Sequence, residues 1–188
     1  SSNSSIAPGK SLVSQHGMTQ IWKDETSGQH ALHAAKAFHA GETISAFTAG
    51  TIQSNPSYLT IQTGNDEHIT LKPDFLQYVN HSCDPNVFFD IETMQLVCLK
   101  DVQPGEEFRF FYPSTEWEMA QPFVCNCGTG NCLQLIRGAT HLSIDTLSHY
   151  RLSPFIKEQV KSKLSFNINM SPANPFISSI PLNQLYVW

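Results

Sequence analysis

Apolar and polar positions alternate in short runs along most of this chain, with Gly, Pro, Asn and Asp between the runs. Thr43-Ile44-Ser45-Ala46-Phe47 alternates at period two, as a strand with one buried face does. Further strands are expected at Tyr58 to Gln62, His68 to Leu71, Val87 to Ile91, Gln95 to Leu99 and Phe108 to Tyr112. Many short strands without intervening helices predict antiparallel sheets. Before them, residues 1 to about 19 read as a polar lead-in, and strand character begins only near Gln20-Ile21-Trp22. After them the period changes. Ser153 is suited to cap a helix, Pro154 to its first position, and the apolar residues up to Leu164 recur at helical spacing. Asn167 to Trp188 carries three Pro and many Ser and Asn and is expected to be extended.

A chain of 188 residues suits one domain with a small appendage and is long enough to bury a core. Apolar residues make up 40% and charged ones 14%, which describes a globular protein with a lightly charged surface. The formal charge of -5, the pI near 5.8 and the lack of a Lys/Arg cluster exclude direct nucleic-acid binding from the expected functions. The N-terminus is polar and no apolar run is long enough to span a bilayer, so no membrane association is expected. We expect an intracellular protein, cytoplasmic or nuclear, and nothing in the sequence specifies its oligomeric state.

Five cysteines do not suggest a disulfide scaffold, since an odd number leaves one unpaired. Cys125, Cys127 and Cys132 fall within eight residues of a loop rich in Asn and Gly. Thiolates so close repel one another unless a cation neutralises them, and Zn²⁺ takes four N or S ligands. A fourth ligand must come from elsewhere, and metal-free thiols and pairwise disulfides are the competing readings. Cys98, in an alternating run, reads as a core residue. A second irregular stretch, Asn80-His81-Ser82-Cys83-Asp84-Pro85-Asn86, is a polar run between two apolar ones. Alone it reads as a loop.

Together, Asn80 to Asn86, the run Gly105-Glu106-Glu107-Phe108-Arg109-Phe110-Phe111-Tyr112 and Cys125-x-Cys127-x4-Cys132 resemble, in order and spacing, three motifs of the SET-domain family of protein-lysine methyltransferases. The resemblance covers about residues 28 to 138. It implies a mainly β fold with few helices: several small antiparallel sheets, a knot-like C-terminal segment and a post-SET zinc loop. The implied layout is a lead-in over 1–27, a SET domain over 28–117, a post-SET zinc segment over 118–138 and a helical or extended extension over 139–188. The implied function is methyl transfer from S-adenosylmethionine to the ε-amine of a lysine-containing protein or peptide, a histone being one such substrate.

By the same resemblance Cys83 supplies the fourth ligand to one structural Zn²⁺ beside Cys125, Cys127 and Cys132. The methyl donor is expected against Asn80 and His81, largely through their backbone, and against a G-x-G segment. Here the matching positions are Gln29-His30-Ala31, followed by Leu32, and neither glycine is present. Glycine serves where backbone must approach a ligand closely, and Ala31 adds one methyl group there. Gln77 stands where many members carry Arg. Tyr58 matches a tyrosine that lines the cofactor and lysine sites, with a core strand aromatic as the competing reading. His81 equally suits a hydrogen-bonded structural histidine. Tyr112 matches the catalytic tyrosine, whose hydroxyl orients the amine and the transferring methyl. Phe110 falls where relatives carry Phe or Tyr, which favours di- or trimethylation. Trp117 and Phe123 either contribute to the lysine channel or cover it.

Methyl transfer to an amine needs a neutral nucleophile. Free lysine has a pKa of about 10.4, so deprotonation near neutral pH costs about 4 kcal/mol. An apolar channel beside a sulfonium lowers that cost by disfavouring the ammonium, alignment supplies more, and aromatic walls exclude water while accepting a cation. Two other functions compete. One is a SET-fold peptide-binding module with weak or no catalysis, suggested by the absent G-x-G; the other is a methyltransferase acting on a small amine or a natural-product peptide.

Overall fold

A computed structural model describes residues 8–170. Its first sheet pairs β1 (Lys10–His16), β2 (Thr19–Asp24) and β3 (His30–Ala34) antiparallel in that order. β1 lies in the stretch expected to be a polar lead-in, and the reason it escapes a pattern search is physical. It carries Lys, Ser, Gln and His, its apolar Leu12 and Val13 are about half exposed, and a bulge between Leu12 and Ser14 breaks the alternation. Backbone pairing with β2 holds it, not burial. On β2 and β3 the period of two divides the side chains cleanly. Ile21, Leu32 and Ala34 enter the main core, while Trp22, Ala31 and His33 face a cleft.

Two further three-stranded sheets follow. One is β5 (Thr48–Gln53), β7 (Glu67–Lys72) and β6 (Ile61–Gly64), and the other is β4 (Thr43–Ala46), β10 (Gln95–Cys98) and β9 (Val87–Asp90), each in the stated order and antiparallel. The strand expected from Tyr58 begins at Ile61. Ser57 and Thr60 close a turn first: the Ser57 N–H donates to Thr60 Oγ1 at 2.9 Å and the Thr60 hydroxyl returns a bond to the Ser57 carbonyl at 3.0 Å.

β8 (Asn80–His81) and β11 (Arg109–Phe110) pair in parallel, an exception to the antiparallel expectation. This pair is the knot-like segment, since it lays the end of the sheet region back against residues some thirty positions earlier. β12 (Phe123–Val124) and β13 (Leu135–Ile136) form an antiparallel pair that brackets the cysteine loop. Phe47 and Phe110 both stand edge-on to Phe89 in the main core, and Cys98 is buried there as expected. A smaller core joins Leu147 of α1 (Ile144–Ser148) to Ile156 and Val160 of α2 (Pro154–Met170), with Trp117 alongside. The Ile156 N–H donates to Ser153 Oγ at 3.3 Å, consistent with the expected cap. α2 continues past Leu164 to Met170, so Asn167 to Met170 is helical rather than extended; the rest of that expected segment lies outside the described residues. Among the described residues no helix is long and apolar enough to cross a membrane.

Candidate active site

The run from Asn80 to Asn86 is a junction, and nearly every polar side chain in it ties two segments together. Asn80 Nδ2 donates to the His30 carbonyl at 2.9 Å, fixing β3 beside β8. The Ser82 N–H donates to the Phe110 carbonyl at 3.0 Å. Asn86 clamps the strand that leads to Tyr112: its Nδ2 donates to the Glu107 carbonyl at 2.9 Å and its Oδ1 accepts from the Arg109 N–H at 2.8 Å. A polar loop is demanded here because these backbone groups would otherwise be buried without partners.

His81 is the centre of the junction. Its Nδ1 accepts the Tyr112 N–H at 3.1 Å, which places the proton on Nε2, and Nε2 lies 3.4 Å from Cys83 Sγ. Burial, reinforced by the charge of Arg109, pushes its pKa down to about 4, so the ring is neutral. His81 also lines a polar cleft, and its ring stands edge-on to Tyr112 and Phe123 at 5.1 and 5.6 Å.

Two cavities open on either side of this junction and share Asn80, Tyr112 and Phe123. The first, about 470 Å³, is a polar cleft whose walls include Lys10, Asp24, Glu107 and Arg109. Ala31 and Gln29 line it with His33, as the alternation of β3 requires. His33 Nδ1 donates to the Gly105 carbonyl at 2.8 Å, while its Nε2 is buried with no partner among the described residues. Burial holds the ring neutral, so Nε2 is an unspent acceptor in a cleft of ligand size, which fits a group bearing hydroxyl or amino donors such as S-adenosylmethionine.

The second cavity, about 410 Å³, is apolar and aromatic, with Phe89, Phe110, Leu76 and Pro122 in its walls. Phe110 packs 4.7 Å from Tyr112 and 4.8 Å from Phe89. Burial raises the Tyr112 pKa to about 12, with the carboxyls of Glu107 and Glu116 adding to the effect, so its hydroxyl keeps its proton. Glu116 also lines this cavity.

Cys83, Cys125, Cys127 and Cys132 converge, as the sequence suggested, with their sulfurs all within 4.8 Å of one another. A tetrahedral zinc ion with Zn–S bonds of about 2.3 Å sets its sulfurs about 3.8 Å apart, and Cys83 and Cys125 stand at 4.0 Å. None is in a disulfide. Burial pushes the thiols of Cys83 and Cys125 up, an unfavourable state for bare thiolates that a bound cation would relieve. The Leu133 N–H donates to Cys83 Sγ at 3.3 Å, and Asn131 and Tyr150 both donate to the Cys83 carbonyl, at 2.8 and 2.7 Å. The donor set and its hydrogen bonds fit one tetrahedral ion.

The remaining expected site residues divide. Leu32 is fully buried in the core and His30 packs against Tyr78 at 5.3 Å, so of the four residues around the G-x-G positions only Gln29 and Ala31 line the cleft. Tyr58 is 83% exposed, lines the apolar cavity and does not line the polar cleft. Trp117 lines neither: its N–H donates to Gln62 Oε1 at 2.9 Å and its ring packs in the smaller core, below Lys163. Trp117 follows the 3-10 turn at Tyr112–Ser114 and packs with α1 and α2. Gln77 lines the apolar cavity. Sequence reasoning missed Lys10, Trp22 and Asp24 because they lie on the hairpin taken for a lead-in, and it missed Glu116, whose only signal is its position four residues after Tyr112.

A polar cleft and an apolar cavity thus share one tyrosine in their walls. The SET domain family model matches residues 10–113. The chain is 38% identical over 146 residues to methyltransferase flvH of Aspergillus flavus, covering 77% of this chain and 82% of that protein. It is 30% identical over 89 residues to an H3 lysine-36 specific histone-lysine N-methyltransferase of Aspergillus oryzae, covering 44% of this chain but only 9% of that protein. The methyltransferase domain of human PR domain-containing protein 2 superimposes with a TM-score of 0.39 at 22% identity over 52% of this chain and 78% of that one. The chain belongs to the SET-domain family and is a methyltransferase, and enzymes of this family use S-adenosylmethionine.

Proposed function

We propose that this enzyme methylates the ε-amine of a lysine in a protein or peptide, with one structural Zn²⁺ held by Cys83, Cys125, Cys127 and Cys132. The observation that carries the reading is the meeting of a polar cleft and an aromatic channel at Tyr112. S-adenosylmethionine, when bound in the cleft, supplies a methyl group on a cationic sulfur. Gln29, Ala31, Asn80 and His33 would hold it, and Tyr112 stands between it and the channel. Phe110 and Phe89 exclude water from an alkyl chain ending in an amine and favour its neutral form. The protonated Tyr112 hydroxyl orients the amine and the methyl, and Phe110 leaves room for methyl groups already added. His81 fixes the Tyr112 amide while its other nitrogen faces Cys83, so the metal site braces the tyrosine without touching substrate.

A lysine-peptide array with isotopically labelled donor tests this reading. Labelled peptides from zinc-loaded protein support it; donor binding without transfer to any peptide overturns it. A second reading, methylation of a small amine or natural-product peptide, is favoured by the extent of the matches: the relative matched over most of its length carries no histone in its name, while the histone enzyme is matched over 9% of its length. A panel of free alkyl amines in the same assay separates the two. Any protein partner is expected to be nuclear or cytoplasmic.

A further inference from the structure

The apolar channel contains one carboxyl group that the methyl-transfer scheme leaves unused. Among the described residues Glu116 is the sole acidic or basic side chain lining the cavity, whose other titratable groups are the phenols of Tyr58, Tyr78 and Tyr112. It does not point there by chance of a loose loop. Its N–H donates to the Tyr112 carbonyl at 3.0 Å, its carbonyl accepts the Ala139 N–H at 2.9 Å, and its Oε2 accepts the Gln62 N–H at 3.0 Å. Gln62 is held in turn by the Trp117 N–H. The Thr115 hydroxyl also reaches the carboxyl, and a carboxylate has about four lone-pair sites, so acceptor capacity remains toward the channel.

The charges on the neighbouring residues of the chain and of the segments it meets have other partners: His141 pairs with Glu118, and Lys163 lies over the Trp117 ring. No cation therefore compensates this carboxyl among the described residues, although Coulomb coupling shows it close enough to raise the Tyr112 phenol. A buried carboxylate without a counter-ion is unfavourable unless a ligand brings one. Burial duly pushes its pKa up to about 7 from 4.5.

We propose that Glu116 is the anchor and proton acceptor for the substrate amine, making the channel selective for a cationic alkylammonium. This rests on the methyl-transfer reading of the same channel. The ammonium enters as the counter-ion of the carboxylate and gives it one proton, leaving a neutral amine and a neutral acid. The amine lone pair then forms the N–CH₃ bond as the donor's S–CH₃ bond breaks, its electron pair stays on sulfur, and the positive charge passes from sulfur to nitrogen. Glu116 afterwards releases its proton to solvent. An ordinary carboxyl is about 10⁶-fold too weak a base to take a proton from free lysine; burial of the carboxyl and desolvation of the ammonium both narrow that gap.

The experiment measures two things on zinc-loaded protein and on E116Q, which keeps an acceptor for the Gln62 N–H. The first is binding of n-butylammonium between pH 5.5 and 8.5, with the demethylated donor product present. Wild-type affinity should rise about tenfold as Glu116 ionises, and E116Q should bind at least tenfold more weakly with no such rise. The second is transfer to a lysine peptide, where E116Q should lose both kcat and the rising limb of its pH profile near 7, and E116D should restore part of each. Equal butylammonium binding by the two proteins, or none by the wild type, overturns the proposal. Glu116-dependent binding without any methyl transfer would retain the anchor and overturn the proposed reaction instead.

Discussion

The two cavities that meet at Tyr112 are nearly equal in size, about 470 and about 410 Å³, and are made of opposite materials. The polar cleft is walled by strands whose pairing sets which residues face it: Trp22, Ala31 and His33 are there because Ile21, Leu32 and Ala34 are needed in the core. The apolar channel has strand residues such as Phe89 and Phe110 in its walls, but it is completed by a turn at 57–60, the 3-10 segment Asp74–Tyr78 and the residues after Tyr112. A cleft made from sheet edges offers fixed backbone groups and tolerates side-chain exchange. A channel completed by turns depends on each side chain. The absent glycines at Gln29 and Ala31 fall on the tolerant side of that divide.

The largest expected effect breaks both regions at once. Stripping the proposed zinc ion should free the loop that brings Phe123 to both cavities and Cys125 to the cleft, so donor affinity should fall by about 10²-fold, with most strand signal retained in circular dichroism. Unchanged donor binding by chelator-treated, zinc-free protein would show that the cleft stands alone. Next, Tyr112→Phe should lower the transfer rate by about 10²-fold or more while both ligands still bind, since the hydroxyl belongs to neither wall alone. Retained turnover would remove Tyr112 from the chemistry.

Asn80→Ala sharpens the contrast. It deletes the bond to the His30 carbonyl, so it should cost about 1–2 kcal/mol of stability in denaturant titration and weaken the donor by roughly tenfold. A weakened amine with an unaffected donor would reverse the assignment of Asn80 to the cleft wall. Smallest of all, Ala31→Gly should change donor affinity by about threefold or less in calorimetry, because one methyl is all that separates it from the usual residue. A gain of two orders of magnitude would mean that the methyl obstructs the cleft.

What the sequence disclosed follows the same divide. The four cysteines, Asn80 to Asn86 and Tyr112 were legible because their chemistry demands particular residues at particular spacings, and the structure brings them together. Val87–Asp90 announced itself by a short apolar run and Gln95–Cys98 by an alternating face. β1 did not, since an exposed edge strand of Ser, Gln and Lys has no periodic burial to report. Trp117 was placed in the channel by proximity to Tyr112 along the chain, and only the packing with α1 and α2 reveals that it belongs to another core. Glu116 went unremarked for the opposite reason: a lone acidic residue is ordinary in sequence and unusual only when its surroundings are apolar.

The four clustered sulfurs come from positions far apart in the order of synthesis. A ribosome releases Cys83 and the whole tyrosine strand before it has made Cys125, and the sulfur quartet is complete only when Cys132 emerges. Until then the nascent chain holds a donor set that no tetrahedral ion can satisfy. A chain that ends between Tyr112 and Cys132 would carry the tyrosine and Cys83 without the complete sulfur quartet.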